Sequence, residues 1–336
     1  MESLEVFSSY LFLHTKIKKE QKKGKNKMKR FLNCNASDFE KMTKSELIES
    51  IAASEGRIVV CETIGAVPQM LGDVTNAEFA ASMGADIILL NIFDVNNPVM
   101  HGLPADVKPE DYIRKIKELT GRPVGLNLEP LEECVASTVE TDEWAGLSSG
   151  RAGTLENAKK AVKMGADFIV LTGNPGIGVT NKAITDTLKL YRKELGDSVV
   201  LIAGKMHAAG ILGEAGEKII TRNDVKEFAE AGADIVLMPA PGSVPGITME
   251  YIRGLVSYAH ELGKLTLTSI GTSQEGADIS TIKNIALMCK MAGTDLHHLG
   301  DSGYMGMALP ENILEYGKVI RGVRHTYHRM AASIKR

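Results

Sequence analysis

LENAKKAVKMGADFIVLTGNP, residues 155–175, holds the unit that decides the fold. Its first half carries apolar residues three and four apart, as one face of a helix requires, and its second half is a short, nearly unbroken apolar run of strand type. Between them stands MGAD (164–167), in which the glycine can stop a helix in the left-handed conformation and the aspartate opens the next strand. The signal recurs as MGAD at 83–86, AGAD at 231–234 and AGTD at 292–295, at spacings of 81, 67 and 61 residues. Four further runs follow Gly56-Arg57, Gly121-Arg122, Gly196-Asp197 and Gly263-Lys264. The eight predicted strands are 57–63, 86–91, 123–128, 167–172, 199–203, 234–238, 264–269 and 295–299. Continuous apolar strands separated by amphipathic helices imply a parallel sheet covered on both faces. Eight of them in a fourfold βαβα repeat predict an α/β chain closed as a (β/α)8 TIM barrel.

Outside the repeat, TKSELIESIAAS has Thr43 and Glu46 spaced as a capping box and predicts a helix covering the barrel floor. The expected organisation is a disordered basic leader at 1–27, an N-terminal helical cap at 28–55, the barrel at 56–325 and a basic C-terminal tail at 326–336. Residues 1–30 carry nine Lys or Arg against three Glu, whereas the remainder is net acidic. A natural start at Met28 would account for that break, with a solvated tail as the rival. The short apolar stretch before the basic run reverses the order of a secretory signal, so neither export nor membrane insertion is expected. A composition of 44% hydrophobic and 24% charged residues places the chain among globular proteins, and 5% aromatics leaves few stacking platforms for nucleic acid. Four cysteines without CxxC spacing read as reduced thiols of a cytoplasmic protein. A homo-oligomer is expected, as for many such barrels.

In this fold the chemistry lies at the C-terminal strand ends, and here they are polar. Strand one ends at Glu62, strand two at Asn91 and Asp94, strand three at Asn127 and Glu129, strand four at Thr172 and Asn174. Strand five ends at Lys205 and His207, and strand eight at His297, His298 and Asp301. Loops SIGTSQEG (269–276) and LGDSGYMG (299–306) combine glycines with hydroxyls, which lets backbone N–H groups approach an anion. Gly271, Thr272, Ser273, Gly300, Ser302 and Gly303 are the expected phosphate cradle. Lys205 and His207 share one side of strand five and would face the mouth together, with the lysine as imine-forming amine, base or anion clamp; an ion pair with Glu62 or Glu129 is its structural alternative. Glu62, Glu129 and Asp94 complete the catalytic candidates, and one histidine of the 297–298 pair, taken as His297, lines the site with Asn91, Asn127, Thr172, Asn174 and Asp301. No motif demands a cofactor; Glu62, Glu129 and His207 would be the set for a divalent metal, without HxH or HExxH spacing. Long loops at 94–111 and 129–154, the latter with the sole tryptophan, Trp144, and with Arg151, have the length of lids.

PVGLNLEP (123–130) and ADFIVLTGNPGIGVTNKAITDTLKLYRKELGDSVVLIAGKMHAAG (166–210) resemble the BtpA-like proteins. That resemblance implies a (β/α)8 barrel and is strongest over residues 80–215; VCETIGAVPQMLGD (60–73) departs from the family's Pro-rich histidine segment at strand one. LLNIFDVNNPV (89–99) and LGDSGYMG also resemble the motifs of haloacid-dehalogenase-like phosphatases, which would make Asp94 a nucleophile and Asp301 a metal ligand. Asn96 and Pro98 replace the residues that pattern needs next. The expectation carried forward is an enzyme on a small phosphorylated metabolite, a sugar phosphate, working by acid/base or Schiff-base chemistry as a lyase, isomerase or hydrolase. A non-catalytic, phosphate-ligand-binding assembly or regulatory barrel, and the phosphatase, are the alternatives.

Overall fold

The computed structural model describes residues 28–131 and 147–336. Trp144, Cys134 and most of the 129–154 loop therefore lie outside the described residues. Strands β1 (Ile58–Ile64), β2 (Ile87–Asn91), β3 (Val124–Leu128), β4 (Phe168–Leu171), β5 (Val200–Gly204), β6 (Ile235–Pro239), β7 (Leu265–Ile270) and β8 (Leu296–Leu299) close in sequence order into one parallel barrel. Ahead of it come α1 (Ala36–Phe39) and α2 (Lys44–Ala52), the latter started by the Thr43–Glu46 capping box. The outer ring is α3 (Asn76–Ser82), α4 (Tyr112–Thr120), α5 (Leu155–Met164), α6 (Asn181–Leu195), α7 (Arg222–Ala231), α8 (Met249–Glu261), α9 (Ile279–Ala292) and α10 (Pro310–Ala331). The closed barrel excludes the doubly wound sheet that the phosphatase motifs would require. Among the described residues, no helix is long and apolar enough to cross a membrane.

Strand period explains the layering. Ile58, Val60, Ile87, Leu89, Phe168, Val170, Val200, Ile202, Ile235, Leu237, Leu267 and Leu296 point inward and fill the lower barrel, a packed core rather than a pore. The inward position of β3 is Gly125 because the Phe168 ring occupies the space; a Cβ there would lie 2.5 Å from it. Phe31, Leu32, Phe39, Leu47 and Ile51 join the same cluster from beneath. The alternate residues, such as Val59, Cys61, Leu126 and Ala203, pack against the helices.

The four repeated aspartates do one job at the barrel floor. Asp86, Asp167, Asp234 and Asp295 each accept, through Oδ2, the backbone N–H of the preceding strand: Val59 at 2.8 Å, Val124 at 2.9 Å, Leu201 at 2.8 Å and Thr266 at 2.8 Å. Each also meets a cation or histidine: Arg321 and Arg329, Lys117, Arg192 with Lys44, and His260. Each carboxylate therefore staples two adjacent strands and sits beside a basic side chain. At Asp86 the assembly is fully enclosed. Gly322, at φ 74°, breaks the helical path of α10, so that Arg321 and Arg329 both reach Asp86. Arg329 goes on to donate to the carbonyls of Cys34 and Phe31, at 3.1 and 2.8 Å. Residues 326–331 thus belong to α10, with Thr326 and Arg329 buried, while 333–336 are exposed. Cys34, Cys61 and Cys289 are buried free thiols.

Candidate active site at the barrel mouth

Above the apolar layers the inward positions turn polar. Glu62, Asn91, Asn127, Glu129, Thr172, Asn174, His207, Gly271, Gly300, Asp301 and Gly303 line a cavity of about 370 Å³ at the C-terminal end of the barrel, together with Arg151 and Glu275. The expected strand ends therefore largely meet in one place.

The wall built by β1, β2 and β8 is a carboxyl pair. Glu62 and Asp301 are hydrogen-bonded to each other, and Asn91 Nδ2 donates to Asp301 Oδ2 at 2.9 Å. Burial raises both acids; proximity to Glu62 raises Asp301 further, to about 8, while Glu62 stands at about 7. Among the described residues no cation is paired with either, and two buried carboxyls in contact cannot then both ionise near neutral pH, so the pair holds a proton between them. Glu275, also raised by burial, faces the same cluster. His298 approaches Glu62 Oε2 with Nε2 at 2.7 Å, off the line of a hydrogen bond, while its Nδ1 lies 2.7 Å from Ser269 Oγ.

The opposite wall carries an ion pair. Arg151 Nη2 meets Glu129 Oε1 at 2.5 Å, both side chains buried. Asp94 holds the segment bearing Arg151: its Oδ1 accepts from the N–H groups of Asn96 and Asn97 at 2.7 and 3.0 Å, and its carboxyl also binds Ser148 and the Gly150 amide. A Cβ on Gly150 would fall 1.7 Å from Asp94 Oδ1. Those donors hold the Asp94 carboxyl below its ordinary range despite partial burial. Asp94 is thus a loop latch outside the cavity lining, where a nucleophile was expected.

Three further expectations are corrected. Lys205 is not in the mouth. On β5 the inward series is Val200, Ile202, Gly204 and then Met206, so Lys205 points away and pairs with Glu214 at 2.7 Å, neither Glu62 nor Glu129 being its partner. His207, past the end of the strand, does line the cavity and is lowered by burial and by Lys205. His297 faces the helix layer, 3.0 Å from both the Tyr316 hydroxyl and the Gly56 carbonyl; burial pushes it down to about 4, and its neighbour His298 takes the inward place. The proposed metal set does not assemble: Glu62 is committed to Asp301 and His298, Glu129 to Arg151, and among the described residues no group of three or more His, Cys, Asp and Glu is placed to hold a metal ion.

The phosphate loops are part of the mouth but partly self-occupied. Gly303 N–H donates to Asp301 Oδ1 at 2.7 Å, and the Thr272 hydroxyl to the Ser243 carbonyl at 2.8 Å. Ser273 and Ser302 take left-handed backbones, with φ 78° and 56°, and the buried Ser302 hydroxyl has no partner among the described residues. Ile92, also lining the cavity, has φ 53°. For a β-branched residue that is a strained conformation.

The fold and this mouth define a (β/α)8 barrel with a carboxyl-lined pocket at its C-terminal face. The chain belongs to the family described as a domain of unknown function, DUF7916, whose model matches residues 32–336; that is the family shown, where the strand motifs had pointed to the BtpA-like proteins. The chain is 24% identical over 155 residues to a putative N-acetylmannosamine-6-phosphate 2-epimerase of Proteus mirabilis (strain HI4320), covering 46% of this chain and 54% of that protein. It thus spans about half the length of the curated relative. Its fold is similar to an archaeal fructose 1,6-bisphosphate aldolase, with TM-score 0.52, 14% identity and coverage of 83% of this chain and 100% of that one. A Schiff-base-forming fructose-1,6-bisphosphate aldolase gives TM-score 0.50, 14% identity and coverage of 82% and 98%.

Proposed function

We propose that this barrel is an enzyme that moves protons on a small phosphorylated sugar, an isomerase or epimerase rather than an imine-forming lyase. The Glu62–Asp301 pair carries the reading: one ionised and one protonated carboxyl, side by side at the barrel mouth, are the base and acid that such a step needs. Glu62 would take the proton from the carbon next to the substrate carbonyl while Asp301 gives its proton to the carbonyl oxygen, forming an enediol. Return of a proton to carbon and loss of the hydroxyl proton complete the exchange with no net change in charge. Lys205, paired with Glu214 away from the cavity, argues against a Schiff base. The phosphorylated substrate class is supported by the named activity of the Proteus relative and by the loops at Gly271–Ser273 and Gly300–Gly303, of which Gly271, Gly300 and Gly303 line the cavity; Arg151 stands across the mouth.

Incubation with aldose, ketose and 2-acetamido sugar phosphates in deuterium oxide tests this directly, because proton abstraction leaves deuterium on carbon even without net turnover. Exchange that disappears in Glu62→Gln and Asp301→Asn is the expected result. Binding of such ligands with no exchange across the panel would favour the non-catalytic barrel instead.

A further inference from the structure

We propose that His298, held by Ser269, is a positioning residue that keeps Glu62 as the base of the carboxyl pair and leaves the proton on Asp301. The proposal rests on the acid–base reading of the mouth and assigns the two roles within it.

The arrangement follows from strand register. Ser269 of β7 pairs with His298 of β8, and His298 pairs with Val60 of β1, one inward step below Glu62. The three side chains therefore climb one face of the barrel interior as a chain of contacts: Ser269 Oγ to His298 Nδ1 at 2.7 Å, then His298 Nε2 to Glu62 Oε2 at 2.7 Å. Both Ser269 and His298 are fully buried. Burial pushes the imidazole down to about 4, so the ring is neutral and carries one N–H. Its tautomer depends on what Ser269 does. Among the described residues the other acceptor in reach of the serine hydroxyl is Met206 Sδ at 3.5 Å, and a thioether is a weak acceptor. The hydroxyl proton therefore goes to Nδ1, the ring proton stands on Nε2, and Nε2–H faces Glu62.

The groups around Glu62 come from four places: His298 on β8, Asn91 on β2, Asp301 in the loop after β8 and Glu275 in the loop after β7. Asn91 bonds both carboxyls and does not choose between them. Two N–H groups each approach one acid alone, the Gly303 amide in a hydrogen bond to Asp301 and His298 Nε2 in a close contact with Glu62 that is out of line. The Gly303 amide on Asp301 lies at the exposed edge of the site, whereas the His298 contact is buried. A donor in a low-dielectric interior acts more strongly on a charge, so the balance favours ionised Glu62. A small ring rotation would bring the close Nε2 approach into line.

The first test uses the unmodified chain, so it does not depend on a variant folding. Nitrogen-15 spectra of the histidine rings at pH 7 should show His298 neutral with its proton on Nε2; a proton on Nδ1 overturns the proposal. The second follows the carboxyl carbons of Glu62 and Asp301 by NMR titration in His298→Asn and His298→Gln, with thermal melts to confirm folding. Gln carries its amide to the place of Nε2 and Asn does not. Asn should raise the Glu62 titration by about one pH unit, and Gln should hold it near its original position. Equal behaviour of the two folded variants would reduce His298 to a packing residue. Absence of deuterium exchange with every sugar phosphate, alongside the expected tautomer and titrations, would refute the enzymatic reading and leave the positioning intact.

Discussion

Replacing each floor aspartate by asparagine keeps the acceptor for the strand N–H and removes only the charge, so the four sites form a graded series. Asp86 should be the most costly. Its side chain and that of Arg321 have no exposure and Arg329 has 2%, so Asp86→Asn leaves two guanidinium groups enclosed without a counter-charge. Breaking a buried pair from one side costs about 3–5 kcal/mol. Arg122, lowered to about 9 by burial and by Arg329, adds a third cation nearby. Asp167 is paired with Lys117, and both are about a quarter exposed; water solvates what is left, and Asp167→Asn should cost about 1–2 kcal/mol. Asp234 and Asp295, at 16% and 12% exposure, fall between. Equilibrium urea unfolding at constant m-value reads the order, and the Asp86 loss should also lower the melting temperature by on the order of 5–10 °C. An Asp86→Asn variant that loses no more than Asp167→Asn would refute the claim that enclosure, rather than the repeated hydrogen bond, sets the value of these sites.

Three further outcomes follow from the mouth. Glu62 and Asp301 bind protons in the folded state up to about 7 and 8, above their ordinary range; stability should therefore fall as pH rises from about 4 to 8, and Asp301→Asn should flatten that slope in pH-dependent melts. With Glu62 as base and Asp301 as acid, kcat/KM for any substrate found should follow a narrow bell with limbs near those same values. Lys205→Met should keep activity within about tenfold, and borohydride added with substrate should leave no adduct at Lys205 by mass spectrometry. Gly150→Ala should displace Asp94 and with it Arg151, weakening phosphate-ester binding at least several-fold in calorimetry while the fold survives.

Much of this architecture was legible because the repeat writes it four times. The observed strands fall within about a residue of those predicted, since glycine stands at or just past the end of α3 to α9 and aspartate opens each even strand. The inward face was legible too, though only with the repeat used as a ruler. One and three residues after the aspartate come Ile87 and Leu89, Phe168 and Val170, Ile235 and Leu237, all inward; the same count places Leu296 and His298 inward and His297 outward. Lys205 had no such ruler. The odd strands follow their glycines at unequal distances, and a strand buried on both faces shows no polar alternation to reveal its parity. Glu275 was hidden differently, as a loop residue whose burial depends on the chain folding back over β8. Arg329 sat in a stretch whose charge alone resembled a tail, and its burial depends on the break at Gly322.

The two ends of the barrel use the same side-chain chemistry to opposite effect. At the floor every repeated aspartate accepts a backbone N–H and has a basic side chain within reach, so the carboxylates act as fixed staples. At the mouth Glu62, Asp301 and Glu275 face one another, a neutral histidine and an amide, while Arg151 is committed to Glu129. Moving a cation to the first group would make it a second set of staples; that none of the described residues places one there is what leaves a proton to be shared. A direct check is Asn91→Lys, which places an ammonium where Asn91 Nδ2 now meets Asp301. If the physical account is right, the carboxyl titrations should fall toward the ordinary range and proton exchange with substrate should be lost, while stability above pH 7 rises. Titrations that stay near 7 and 8 despite a folded variant would mean that something other than the missing counter-charge holds the proton.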